Sequence, residues 1–225
     1  MTETKQRIEQ VILGPMEPHE LPAVVDVLAR ALRDNPSFIG MFGPEPDRRL
    51  RSTRVLCRVL LSGQSEPPMV ARLAGVVVGA AAVSPPQTCF SSGSRSRQYR
   101  ISIAGRGVTI ESEVPWRQLL GLLRLGLPAL HRAGLMARSS TIHDPAVRHW
   151  HFELVGVEDD LRGQGIGGKM MEAALRRADA AGEVACVETD TTRNVEFYRR
   201  LGFEVTATEE SLGVQMWYME RPVPH

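Results

Sequence analysis

The densest concentration of chemically useful residues runs from Val155 to Lys169: Val-Gly-Val-Glu-Asp-Asp-Leu-Arg-Gly-Gln-Gly-Ile-Gly-Gly-Lys. An apolar strand ends at Val157, a short acidic turn follows, and a glycine-rich loop opens onto a helix. Gly163, Gly165, Gly167 and Gly168 leave the backbone N–H groups of residues 162–168 free of Cβ interference. They can therefore close on an anion, and the helix N-terminus adds the positive end of its dipole. Arg162 at the lip supplies a charge that can pair with a phosphate oxygen. Arg162, Gly163, Gln164, Gly165, Ile166, Gly167 and Gly168 are thus the candidate residues for a pyrophosphate. Gly163-x-Gly165-x-x-Gly168 formally matches the dinucleotide fingerprint, and Glu188 lies about 20 residues on, where a ribose-binding acid would sit. In that arrangement, however, the strand runs almost directly into the first glycine, whereas here Glu158 to Arg162 intervene. Too little chain follows for the further strand–helix units that such a fold requires.

The other parse, Arg162-x-x-Gly165-x-Gly167, resembles the acetyl-CoA pyrophosphate loop of the GNAT N-acetyltransferase superfamily. Asn194-Val-Glu-Phe-Tyr198-Arg-Arg-Leu-Gly202-Phe203 resembles that superfamily's second signature, in which a tyrosine on the helix after the fifth strand faces the CoA sulfur. The segment from Val187 to Thr206, followed by Trp217-x-Met219, is similar to the branch that includes the puromycin N-acetyltransferases. The N-terminal half is similar to that branch only in layout. The resemblance implies an α/β (α+β) GNAT fold, with a mixed, mostly antiparallel central sheet flanked by helices. It also implies a splayed fourth and fifth strand pair and a helical insert before the fourth strand. It implies acetyl-CoA as co-substrate and direct transfer of the acetyl group, in a ternary complex, to a primary amine of a small molecule. The backbone of Val155, Gly156 and Val157 would pair with the pantetheine arm, and Asn194 and Tyr198 would complete the cofactor site. The Val155 N–H would meet the developing oxyanion. A homodimer is compatible with the resemblance.

Acyl transfer to an amine needs a proton acceptor for the nucleophile and stabilisation for the departing thiolate. Tyr198 is the candidate acid toward the thiolate; the alternative is an aromatic on the buried face of a short helix beside Phe197. Strand alternation places His149, His151, Glu153, Val155 and Val157 on one face, with Phe152 and Leu154 on the other. Glu153 or His151 could take the amine proton directly or through water, or could only bind and orient the amine. The His149-x-His151-x-Glu153 run could present two imidazoles and an acid to one ion. No further ligand cluster accompanies it in the sequence, so no metal is expected. His19, His131, His143 and His225 read as surface groups, and Cys57, Cys89 and Cys186 as buried hydrophobes or unreactive thiols. Two readings from other classes stay open: an acyl-CoA-binding sensor without turnover, and a dinucleotide-dependent oxidoreductase.

The elements that must position these residues alternate along the chain. A strand over residues 8–14 precedes an amphipathic helix from Pro18 to about Asp34 and a second from Pro46 to Leu61. A hairpin follows, Met69–Leu73 and Gly75–Val83, whose second strand is apolar throughout and therefore central. The pattern fails between Pro85 and Val114, and a leucine-rich helix from Trp116 to Ala137, interrupted by Pro128, reads as packing or as the wall of an apolar pocket. Residues 87–147 thus form a loop and helical insert within one domain spanning 1–225. The site elements are a strand Trp150–Val157, a helix from Ile166 to Ala181, a strand Val184–Thr189 and a helix Arg193–Leu201. Strands Glu204–Thr208 and Val214–Met219 close the chain.

At 225 residues with a net charge of +1, the chain can bury a substantial core and gives no electrostatic case for nucleic acid or an anionic membrane. The cysteines form no CxxC pair, the first residues lack the apolar core of a signal peptide, and no run approaches a membrane span. A cytoplasmic protein is the expectation.

Overall fold

The computed structural model describes residues 10–86 and 122–223. Among these residues, seven strands form one sheet in the order β1-β2-β3-β4-β5-β7-β6. The strands are β1 (Val11–Pro15), β2 (Met69–Leu73), β3 (Val76–Ser84), β4 (His149–Val157), β5 (Val184–Thr189), β6 (Glu204–Ser211) and β7 (Val214–Arg221). Every neighbouring pair is antiparallel except β4 and β5. β3 is buried from its second residue onward, as its unbroken apolar run requires of a central strand. β6 alternates exposed and half-buried residues at the sheet edge.

Among the described residues, six α-helices cover the two faces. On one side lie α1 (Leu21–Leu32), α2 (Pro36–Phe42), α3 (Pro46–Gly63) and α4 (Leu127–His143), and on the other lie α5 (Ile166–Ala181) and α6 (Thr192–Arg199). α1 buries Val24, Val25, Leu28 and Leu32 at helical spacing against Ala80, Ala82 and Leu154 of the sheet. α5 buries Ile166, Met170, Met171, Ala174, Leu175 and Ala178 against Ala81, Phe152 and Val187. α3 begins where the Glu45 carboxylate accepts the Asp47 and Arg48 N–H groups at 3.1 and 2.6 Å.

Two elements depart from the sequence reading. α2 is an additional seven-residue helix, opened by Pro36 and closed by Gly43 at φ +91°. It is too short to carry a periodic signal, and its Phe38, Met41 and Phe42 are buried. The leucine-rich helix is interrupted just before Pro128, as expected: Leu122 and Leu123 are helical, Arg124 to Gly126 form a turn with Gly126 at φ +77°, and a new helix follows. α4 starts there, because proline suits a first turn where its missing N–H costs nothing. α4 then runs past Ala137 to His143 through Ser139, Ser140 and Thr141. Ser140 and Thr141 donate to the carbonyls of Met136 and Ala137 at 3.3 and 2.9 Å, so their hydroxyls find partners within the helix. The expected start of the leucine-rich helix, from Trp116 to Gly121, lies outside the described residues.

β4 positions the site, and it carries a bulge. Ala82 pairs with Leu154 and Val83 with Phe152, so Glu153 has no opposing residue on β3. The extra residue shifts the side-chain phase. His149, His151 and Glu153 share the α1–α4 face as expected, but Val155 and Val157 turn to the α5 face with Phe152, while Leu154 joins the α1 side. The simple alternation over 149–157 is thereby corrected. Gly156 faces α1: a Cβ there would stand 2.7 Å from the Ala31 Cβ, so its lack of a side chain lets the helix close on the sheet.

Candidate functional site

β4 and β5 pair only from His149–Val184 to Phe152–Val187, so Glu153 to Val157 have no partner on β5. β5 meanwhile continues its pairing with β7 through Glu188 and Thr189. The two strands therefore part at the bulge, leaving a wedge along the backbone of Val155, Gly156 and Val157. α5 starts beside the mouth of that wedge: a Cβ on Gly167 would meet Val157 Cγ2 and Phe197 Cζ, each at 3.7 Å. Its first internal bond runs from the Lys169 N–H to the Gly165 carbonyl at 3.1 Å, so the N–H groups of Ile166, Gly167 and Gly168 precede the helical ladder. Gly163 and Gly165 hold φ of +76° and +85°, left-handed conformations that glycine adopts without strain. Gln164 donates to the Asp160 carbonyl at 3.1 Å and braces the turn.

Arg162 sits differently from the expectation of a charge at the lip. Its guanidinium donates to the Ala31 carbonyl near the C-terminus of α1 and lies 2.8 Å from Asp159. It ties the loop to α1, and an anion at this loop would be met first by backbone N–H groups.

Tyr198 lies on α6 with its ring packed against Phe197 and Phe203, with centroids 5.1 and 5.7 Å apart. Burial, together with the charges of Glu188 and Asp190, pushes the phenol above its ordinary range, so it stays protonated at neutral pH. Asn194 stands in the first turn of α6, where its N–H reaches Thr191 Oγ1 at 3.3 Å. Asp190 accepts from the Ser37 N–H at 2.8 Å and from its hydroxyl, anchoring the end of β5 to α2.

On the α1–α4 face, Glu153 accepts from Ser84 Oγ and stays half-buried. His151 is buried, with Nε2 2.6 Å from Glu188 and Nδ1 3.6 Å from Asp144. Both ring nitrogens thus face carboxylates. Ser140 donates to the other Glu188 oxygen at 2.8 Å. Desolvation pushes the Glu188 carboxyl up, but His151 beside it and the hydrogen bonds from His151 and Ser140 outweigh this and hold it below its ordinary range. His143 is no free surface group: its ring stacks on Tyr218 at 4.2 Å and reaches Glu209 at 3.1 Å. The sequence reading missed Glu188 in this role, together with Asp144, Cys186 and Ser84. A parallel strand register and a helix end bring them together, and neither leaves a local signature.

Residues 131–205, a third of the chain, match the family model of the GNAT acetyltransferase domain. Over 62 residues the chain is 37% identical to an L-methionine sulfoximine/L-methionine sulfone acetyltransferase of Pseudomonas paraeruginosa, covering 26% of this chain and 36% of that protein. Over 60 residues it is 38% identical to the peptidyl-lysine N-acetyltransferase YjaB of Salmonella typhimurium, covering 27% and 40%. The match thus spans well under half of these relatives. Among solved structures, the histone acetyltransferase HPA2 and related acetyltransferase of Corynebacterium glutamicum superposes with a TM-score of 0.64 at 21% identity, over 96% of this chain and 98% of that one. A polyamine N-acetyltransferase of Drosophila melanogaster gives 0.59 at 14% identity, over 95% and 100%. The matched segment is thus similar to a GNAT acetyltransferase domain, and the described residues share the fold of these solved acetyltransferases.

Proposed function

We propose that the protein moves an acetyl group from acetyl-CoA to a primary amine of a small cationic molecule, by direct attack in a ternary complex. The observation that carries this reading is the parting of β4 from β5 at Glu153, immediately beside the N–H-rich first turn of α5. A pantetheine arm would lie in the wedge, with its pyrophosphate on residues 163–168. The amine nitrogen attacks the thioester carbonyl, the C–S bond breaks, and the surplus ammonium proton leaves through Glu153, directly or through water. The Val155 N–H would receive the oxyanion; such a preorganised donor is worth roughly 3 kcal/mol. Tyr198 would donate a hydrogen bond to the departing thiolate. Its raised affinity for its own proton suits it to hydrogen bonding more than to full transfer, because an ordinary thiol titrates near a pKa of roughly 8.5. His151 acts behind the front line, holding Glu188 in place.

The acceptor side is a partly buried set of carboxylates, Glu153, Glu188 and Glu209. That suits a compact cation, whose ammonium group is drawn in before deprotonation. The similar proteins act by name on a free amino-acid analogue, a lysine side chain and polyamines, so all three classes belong in the test together with puromycin. Calorimetry with acetyl-CoA, using NADH as the control ligand, is expected to show binding of acetyl-CoA alone. Thiol release is then expected with at least one amine of the panel. Acetyl-CoA binding with no release for any amine would move the reading to a sensor, and NADH binding without acetyl-CoA binding would overturn it.

A further inference from the structure

We infer that Asp144, His149, His151 and Cys186 form a binding site for a divalent zinc-type cation, buried beneath the point where β4 and β5 part. This site does not depend on the acetyltransferase reading. The four donor atoms, one from each residue, lie within 4.8 Å of one another. Asp144 Oδ1 is 3.6 Å from His151 Nδ1 and 3.9 Å from His149 Nε2. Ligands held at 2.0–2.3 Å in a tetrahedron stand roughly 3.3–3.8 Å apart, so the observed spacing needs only a small contraction around an ion.

The backbone builds this cluster. His151 pairs with Cys186 across the parallel β4–β5 register, and alternation along β4 puts His149 on the same face. Asp144, the C-cap of α4, closes the set from above. Glu153, which the sequence places in line with the two histidines, is not part of it; the bulge directs Glu153 to Ser84 instead.

The surroundings orient each imidazole toward the centre. His149 donates its Nδ1 proton to the Val147 carbonyl at 2.8 Å, an acceptor that cannot donate in return. Its Nε2 is thereby turned toward Asp144 and Cys186. His151 presents Nε2 to the Glu188 carboxylate at 2.6 Å and turns Nδ1 inward. An imidazole held from behind by a carboxylate or a backbone carbonyl is the arrangement that fixes histidine ligands on a metal. Ser140 in turn holds Glu188. Two neutral imidazoles, one carboxylate and one thiolate give a set of charge −2, which a divalent cation neutralises in a place water scarcely reaches. Coordination by sulfur replaces the Cys186 thiol proton, which leaves to solvent. A mixed nitrogen, oxygen and sulfur set of four favours zinc over magnesium or calcium, which take all-oxygen shells.

The test uses the full-length protein purified without an affinity tag. Elemental analysis is expected to find close to one zinc per chain. Protein stripped with a chelator, shown by circular dichroism to be folded, is expected to take up one equivalent of Co2+. The spectrum should show the intense visible bands of a four-coordinate site and a near-ultraviolet thiolate-to-cobalt band. Cys186→Ser should remove the thiolate band, and His149→Gln should weaken cobalt binding at least tenfold. Absence of both zinc and stoichiometric cobalt uptake in the folded protein overturns the inference. So does a cobalt spectrum that Cys186→Ser leaves unchanged.

Discussion

Tyr198 shows how much a single residue can be asked to do. Its ring packs against Phe197 and Phe203, and burial together with the charges of Glu188 and Asp190 keeps its hydroxyl protonated. Removing only the oxygen keeps the packing and isolates the hydrogen bond to a departing thiolate. A hydrogen bond to a charged partner is worth about 1.5–3 kcal/mol, so Tyr198→Phe should lower kcat by roughly tenfold to a hundredfold. Acetyl-CoA affinity and thermal stability should stay near those of the parent. Steady-state kinetics together with calorimetry separate the two, and a Tyr198→Phe enzyme with unchanged kcat would reduce the residue to core packing. At this scale the sequence exposes Tyr198 and the loop glycines because their context is local. It misplaces Val155 and Val157 because one extra residue at Glu153 inverts the phase of everything after it. That bulge is decided by pairing with β3, not by the composition of β4.

At the scale of elements, the loop and α5 act as one unit whose glycines do different work. Gly165 holds φ at +85° as the N-cap of α5, and a Cβ there would meet nothing within 4 Å. The demand for glycine at this position is thus conformational. Gly165→Ala should cost about 1–2 kcal/mol of stability, the usual penalty for a left-handed L-residue, and leave the fold intact. The strain would be relieved by turning the N–H groups away from the anion, so acetyl-CoA binding should weaken at least tenfold. Gly168→Ala is the matched control: it sits in open space inside the helix, and its Tm should stay level or rise. Calorimetry and thermal melts of the two variants check this, and a Gly165→Ala protein that binds acetyl-CoA as tightly as the parent would detach the loop from cofactor binding. The boundaries of α5 and β5 are legible in the sequence because glycine punctuation and apolar period agree there. α2 is not, since seven residues make fewer than two turns of pattern. His149 and His151 stand out as a pair on one strand face, but Cys186 beside them does not, because a parallel register joins it to His151 from 35 residues away.

Across the whole molecule, the turn that leads into α1 must be held to the β1–β2 edge of the sheet. A buried ion pair does this. Arg72 of β2 donates through Nε to Glu20 at 2.7 Å and through Nη2 to the Pro15 carbonyl at 2.9 Å, joining β1, β2 and the turn that leads into α1. The hydrogen bond from Arg72 lowers the Glu20 carboxyl most, burial opposes it, and the pKa settles at about 2 against an ordinary 4.5. Because the folded value is depressed, the pair stabilises the protein fully above pH 4.5, and this stability drains away as pH falls from there toward 2. The shift corresponds to about 3 kcal/mol at pH 7, falling to about 1 kcal/mol at pH 3. Glu20→Gln removes the titrating charge, so its deficit relative to the parent should follow the same curve. Urea denaturation of both proteins at pH 7 and pH 3 measures it: the gap should close by more than half at the lower pH. A gap that is independent of pH would assign the role of Glu20 to shape and hydrogen bonding, and the anchoring of α1 would then have to come from the apolar contacts of Val24, Val25 and Leu28 alone.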